Sequence, residues 1–440
     1  MQQPVQLSPQ KRPAPRRPTA KPAAKNLLKM LGPGLITGAS DDDPSGIATY
    51  SQTGAQFGYS ALWTMLVAYP LMSAIQLVSA LIGRVTGCGV AANMRRHSPA
   101  GVMYFCVGLM AIANTINIGA DIAAMGASAQ LVFGGKALVY AAAFTVASLL
   151  LQVFLQYTTY VKILKWLTLV LFAYVGVVFA VKVPWPEALR GTFVPTISLH
   201  SDFLTVLAAI FGTTISPYLF FWQASEEVEE VKCVKEAKPL VKAPEQEPAQ
   251  TDRIKFDTYI GMAASDIIAW FIILTTAATL HAGGKTDIQT ASQAAEALRP
   301  IAGRFAFLLF ALGIIGTGLL ALPVLAGSAA YAVGEMFKWR TGLEAKPHRA
   351  KKFYLLLSAI MLAGLALNYV HIDPIKALFW SAVVNGIVAP PIMIVMMLLA
   401  SRPDVMQEFV ISKRLKIMGW IATGVMTLVA VASIIGWLTK

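Results

Sequence analysis

The stretch Gly32-Pro-Gly-Leu-Ile-Thr-Gly-Ala-Ser-Asp-Asp-Asp-Pro-Ser-Gly-Ile-Ala-Thr49 lies in the first long apolar segment of the chain. Three consecutive aspartates, Asp41, Asp42 and Asp43, stand where a membrane helix is normally apolar, and Pro44 follows at once. An ionised aspartate at bilayer depth costs about 2.5–3.5 kcal/mol on insertion scales, so such residues mark binding sites or ion paths. Proline removes a helix hydrogen bond and pushes the residue before it out of α geometry. The segment therefore reads as two half-helices with an unwound joint, and that reading decides the fold.

The rest of the composition places this joint in a bilayer. Of the 440 residues, 56% are hydrophobic and only 13% charged, against about 25% charged in a soluble domain. Mean hydropathy is +0.61. The chain reads as a polytopic all-α membrane protein. Its net charge of +13 reports orientation rather than a nucleic-acid partner. Cys88, Cys106 and Cys233 have neither metal-ligand spacing nor a disulfide pattern. Residues 1–26 are rich in Pro, Lys and Arg without an apolar face, and read as a disordered basic tail with no cleavable signal after it.

About eleven spans of roughly 20 residues follow, at 27–54, 59–83, 100–131, 137–157, 160–183, 202–224, 257–281, 303–335, 352–370, 375–400 and 416–438. Spans 1, 3 and 8 are long and carry Gly or polar interruptions. Lys and Arg concentrate in the tail and in the loops after even-numbered spans, while the opposite loops hold only Lys136, Lys182, Arg190, Lys285 and Arg299. The positive-inside rule then sets the N-terminus in the cytoplasm and the C-terminus on the extracellular or periplasmic side.

A second joint stands in span 6, Gly212-Thr-Thr-Ile-Ser-Pro-Tyr218. Two broken helices five spans apart are the pattern of a 5+5 inverted repeat with a site at the bilayer midplane. The first repeat would cover 27–183 and the second 202–400, with helix 11 at 416–438 added, all within one transporter domain, 27–438. The joints offer oxygen from Asp43, Thr213, Thr214 and Ser216 and from freed carbonyls. Oxygen-only sites suit hard divalent cations, and Mg²⁺ tends to keep several waters. Neither thioether nor imidazole stands at either joint to favour a transition metal.

Other polar groups have open roles. Asp41 and Asp42 either bind a hydrated ion through water or are hydrogen-bonded helix-interior groups. Asp121 and Asp266 read as acids that support the direct ligands from behind, as proton carriers or as structural hydrogen-bond partners. Asn117 and Asn385 read as helix-to-helix hydrogen-bonding groups. His97, His200, His281, His348 and His371 all fall in loops or at span ends, which leaves no buried proton relay. The run Ser225-Glu-Glu-Val-Glu-Glu230 reads as a solvated extension of helix 6 rather than a cation vestibule.

These joints resemble those of the NRAMP family of divalent-metal transporters, which share the inverted-repeat fold of sodium-coupled amino-acid transporters. The family's first motif is Asp-Pro-Gly-Asn after a Gly-Pro start; here Gly32-Pro33 and Asp43-Pro44-Ser45-Gly46 have that spacing, with Gly46 at the Asn ligand position. The family's Ala-Thr-Val-Met-Pro-His becomes Thr213-Thr214-Ile215-Ser216-Pro217-Tyr218. Thr213 keeps the metal-binding carbonyl, Ser216 replaces the Met ligand, and Tyr218 and Gln223 replace two His. Leu81-Ile-Gly-Arg-Val-Thr-Gly87 and Gly119-Ala-Asp-Ile-Ala-Ala124 also resemble family segments, with Ala124 in place of a Glu.

Loss of the Met, the Glu and both His resembles the prokaryotic NRAMP-related magnesium transporter branch, described as carrying Mg²⁺ and Mn²⁺ without proton coupling. That resemblance implies a transporter of the bacterial inner membrane, no enzyme activity, no resident cofactor and no obligatory protein partner beyond the lipid bilayer. It implies metal contacts at Asp43, Gly46, Thr213, Thr214 and Ser216, with Asp41, Asp42, Asp121, Tyr218, Gln223 and Asn385 around them. Gly46 and Ser216 would also leave room for a partly hydrated ion. A proton-coupled Mn²⁺/Fe²⁺ carrier, a sodium-coupled amino-acid symporter and an intramembrane aspartyl protease are the rival readings.

Overall fold

The computed structural model describes residues 37–38, 40–154, 169–234, 236–343, 345–370 and 373–439. The tail at 1–26, much of span 1, a large part of span 5 and His371 lie outside the described residues. The elements are α1 Pro44–Phe57, α2 Trp63–Thr86, α3 Val90–His97, α4 Ala100–Phe133, α5 Ala137–Phe154, α6 Phe172–Ala180, α7 Trp185–Phe193 and α8 Ser201–Thr214. They continue with α9 Pro217–Cys233, α10 Glu247–Thr276, α11 Ala291–Ala295, α12 Arg299–Ala302, α13 Ala306–Met336, α14 Lys351–Leu367, α15 Pro374–Ala400, α16 Pro403–Met406 and α17 Lys413–Leu438.

Among the described residues, eight helical segments are long and apolar enough to cross a membrane. The difference from eleven has three sources: spans 1 and 5 fall partly outside the described residues, and span 9 is the shorter helix α14, of 17 residues. Spans 3 and 8 are not interrupted: α4 and α13 run unbroken for 34 and 31 residues, Pro323 notwithstanding. These two longest helices pack against each other as a central pair, with α15 also against α4. The broken span α8–α9 is the most enclosed of the eight, whereas α5 and α17 turn much of their surface outward. That order follows from the backbone: irregular chain at membrane depth must be covered by protein or line a wet cavity.

Local chemistry sets both breaks. Asp43 is the N-cap of α1, with φ −71° and ψ 172°, and its side chain accepts from the Gly46 N–H, while Pro44 takes the first helical position. Pro is favoured there because its missing N–H would have no helical partner anyway. Ser216 is the N-cap of α9, with φ −75° and ψ 131°, and Pro217 again takes the first position. Close approach holds the second joint in place: a Cβ on Gly212 would sit 2.0 Å from the Ala382 carbonyl oxygen of α15 and 2.4 Å from the Gly386 nitrogen. Small residues let membrane helices pack backbone to backbone in this way.

The acidic run after the second joint extends helix α9 but is not solvated. Glu227 is fully buried, and Arg253 Nη2 on α10 lies 2.6 Å from its Oε2 and 3.0 Å from Glu230 Oε2. The reason is packing: α2, which carries the buried Arg84, covers α9 along this stretch. Removing one partner of a buried ion pair costs about 3–5 kcal/mol, because the other charge is left uncompensated. Arg253→Ala should therefore lower the thermal midpoint of the purified protein, and adding Glu227→Gln should restore part of it. A single variant melting with the wild type would show that this pair does not hold the two helices.

Candidate metal-transport site

Asp43 is 1% exposed, and its carboxylate is fully engaged by the protein. Oδ1 accepts from the Gly46 N–H at 2.8 Å and the Ser45 hydroxyl at 2.6 Å. Oδ2 accepts from Asn117 Nδ2 on α4 at 2.9 Å and from the Tyr218 hydroxyl at 3.4 Å. A carboxylate has about four lone-pair positions, so a cation reaching Asp43 must displace a donor. Tyr218, at the longest distance, is the donor held least tightly. Asn117 Oδ1 in turn accepts from the Ser381 hydroxyl of α15 at 2.6 Å. The first joint is thereby wired to spans 3, 6 and 10 at one residue.

The two prolines act alike on carbonyls. In an unbroken helix the carbonyl four residues earlier would accept each proline's N–H; Pro44 and Pro217 remove that donor from Ser40 and Thr213. Ser216 Oγ supplies a substitute to Thr213, donating at 2.8 Å both to its carbonyl and to that of Gly212. The Thr213 carbonyl keeps a second lone pair. The Tyr218 hydroxyl reaches to 3.5 Å from the Ser40 carbonyl. The Asp43 carbonyl, by contrast, already accepts from the Ile47 N–H at 3.1 Å.

The remaining expected residues fall into distinct places. Thr214 Oγ1 turns back to the Ile210 carbonyl at 3.0 Å, so its hydroxyl proton belongs to its own helix. Thr213 Oγ1 is buried without a hydrogen-bond partner among the described residues. A Cβ on Gly46 would lie 3.2 Å from it and 3.3 Å from the Tyr50 ring. Gly46 thus lies where the two joints meet. Gln223 Oε1 accepts from the Thr37 hydroxyl of the first span. Asp121 sits one turn beyond Asn117 on α4, fully buried, with both carboxylate oxygens unpartnered among the described residues. Asn385, one turn beyond Ser381 on α15, has an unpartnered Oδ1.

The three aspartates do not share a direction. Asp43 faces α4 and α9, whereas Asp41 and Asp42 both reach the Ser265 hydroxyl of α10, at 2.8 and 3.0 Å. Sequence reasoning missed Ser45 and Ser265 as their partners, and Ser381 as the partner of Asn117. Adjacency was the available signal: Ser45 is two residues from Asp43, Ser265 precedes Asp266, and Ser381 is one helical turn before Asn385. Of the described histidines none reaches the joints; His281, after α10, has Nδ1 2.8 Å from the Ala55 carbonyl.

Comparison with known proteins agrees with this architecture. The divalent metal cation transporter MntH of Klebsiella pneumoniae is 23% identical over 428 residues, covering 96% of each chain. The MntH of Erwinia tasmaniensis is 28% identical over 306 residues, covering 67% of this chain and 69% of its own. Among solved structures, the manganese transporter of Eremococcus coleocola in complex with an aromatic bis-isothiourea compound superposes with a TM-score of 0.73 at 16% identity, over 94% of this chain and 88% of that one. Inward-facing Mhp1 gives 0.54 at 14%, over 93% and 91%. The fold is therefore the inverted-repeat fold of the sodium-coupled amino-acid transporter type. A family model described as natural resistance-associated macrophage protein-like matches residues 34–436. The chain belongs to that Nramp family of multi-pass membrane proteins, whose members are transporters and not enzymes.

Proposed function

We propose that this chain imports divalent cations, Mg²⁺ and with it Mn²⁺, by alternating access and without proton coupling. Divalent-cation transport itself accords with relatives named divalent metal cation transporters. The observation that carries the finer reading is the chemistry at the joints: Asp43, Thr213, Ser216, Tyr218 and Gln223 are all oxygen-bearing, with no thioether or imidazole among them. Hard cations prefer such a shell, and one carboxylate with carbonyls and water suits an ion that keeps part of its hydration. Asp43 is the anionic ligand, the Thr213 carbonyl its counterpart on the second joint, and Tyr218 the donor that yields.

With the basic loops inside, the N-terminus is cytoplasmic and the C-terminus lies on the opposite face. The driving force is the membrane potential, about 2.3 kcal/mol per charge per 100 mV and twice that for a divalent ion. The magnesium-carrying branch of the family is where this donor set belongs.

The test is transport in proteoliposomes loaded with a Mg²⁺ indicator and, in parallel, a pH dye. The expected result is Mg²⁺ influx that grows with an inside-negative potential and leaves internal pH unchanged. Mn²⁺ influx that acidifies the interior, with Mg²⁺ excluded, would instead establish the proton-coupled alternative.

A further inference from the structure

We propose a second cation station beside the first joint, formed by Asp41, Asp42, Asp266, Ser265 and Tyr50, which takes a hydrated divalent cation. It rests on the reading of the chain as a divalent-cation carrier, and it is separate from the Asp43 site. Asp43 turns to α4 and α9, while Asp41 and Asp42 turn to α10. One segment thus presents carboxylates in two directions.

The α10 side is short of positive charge and of donors. The Ser265 hydroxyl has one proton for two carboxylate oxygens, 2.8 Å away on Asp41 and 3.0 Å away on Asp42. Asp41 Oδ1 and Asp266 Oδ1 are buried with no hydrogen-bond partner among the described residues. No ion pair between these three acids and a described Lys, Arg or His is present. Buried carboxylates must be neutralised, by a proton, a paired charge or a bound ion, because desolvation alone costs several kcal/mol per charge.

A separate group points to the same place. Tyr50 is completely buried, and its hydroxyl has no partner among the described residues. Asp41, Asp42, Asp266 and Asp43 all lie within electrostatic reach of it. Its ring is held against Gly46, beside the Asp41 carbonyl. A tyrosine hydroxyl at an acid cluster can orient a water molecule, as Ser265 can from the other side.

The geometry also selects the form of the ion. Among the described residues, no three Asp, Glu, His or Cys side chains form a group that could hold a metal ion directly. An ion at this station would be held through water, which suits an ion reluctant to dehydrate. Two neighbouring carboxylates and a third from α10 favour a divalent over a monovalent charge.

Mn²⁺ is the probe, and the full chain in lipid nanodiscs is titrated while free Mn²⁺ is counted by electron paramagnetic resonance. The expected stoichiometry is two Mn²⁺ per wild-type chain, one for Asp43→Ala, and one for the double variant Asp42→Asn/Asp266→Asn. A single wild-type Mn²⁺ that survives the double variant would overturn the second station and leave the transport reading standing. No Mn²⁺ bound, together with no divalent-cation transport by the same preparation, would overturn both. Should the double variant not fold, Tyr50→Phe keeps the ring and removes the hydroxyl. It should weaken one of the two binding phases severalfold and leave the Asp43-dependent phase in place; an unchanged isotherm would contradict the proposal.

Discussion

Asp43→Ala abolishes transport, reducing divalent-cation uptake in proteoliposomes to that of protein-free vesicles. Two losses combine. The substitution removes the only carboxylate that faces both α4 and α9 from the first joint. It also strips the acceptor from the Gly46 N–H, the Ser45 and Tyr218 hydroxyls and the Asn117 amide. Each buried polar group left unpaired costs about 1–3 kcal/mol; the Gly46 N–H bond among them is the helix N-cap, whose loss costs about 1 kcal/mol. Asp43→Asn separates the two effects in part, since it keeps the shape and one of the two acceptor oxygens but not the charge. Asn should restore part of the thermal stability and none of the uptake. Uptake by the Asn variant at wild-type rates would remove Asp43 as the anionic ligand.

Gly212→Ala is expected to be the most damaging single methyl group in the second joint. The added Cβ would stand 2.0 Å from the Ala382 carbonyl oxygen and 2.4 Å from the Gly386 nitrogen. Both are backbone atoms of α15, so no side-chain rotation relieves the clash. Overpacking costs about 1–3 kcal/mol and sometimes more, and here α8 must move off α15. That movement carries Thr213 away from Gly46 and disturbs the Gly212 carbonyl that accepts from Ser216. Folded yield, thermal midpoint and uptake should all fall. Gly108→Ala on α4 is the control, because a Cβ there meets nothing within 4 Å. It should be neutral or stabilising by about 0.5–1 kcal/mol, the ordinary helix gain of Ala over Gly. Equal behaviour of the two variants would refute the close-packing argument.

The breaks were legible because two signals coincided. Pro70, Pro323, Pro390 and Pro391 all lie inside continuous helices, so proline alone does not break a span here. Pro44 and Pro217 follow Asp43 and Ser216, residue types that favour N-caps, and there new helices begin. Directions were not legible. Nothing in Ser40-Asp-Asp-Asp-Pro44 says which aspartate meets Asn117 and which meets Ser265, because the chain leaves helical geometry between them. The burial of Glu227 was hidden for another reason: its partner Arg253 lies 26 residues on and belongs to a different helix.

The central claim is that a divalent cation binds between the two joints, on Asp43 and the Thr213 carbonyl. Anomalous scattering from crystals of the full chain grown with Mn²⁺ tests it most directly. The expected result is a peak beside the Asp43 carboxylate, within ligand distance of the Thr213 carbonyl, with the Tyr218 hydroxyl displaced from Oδ2. A transport-competent protein whose anomalous peaks all lie away from Asp43 would contradict it.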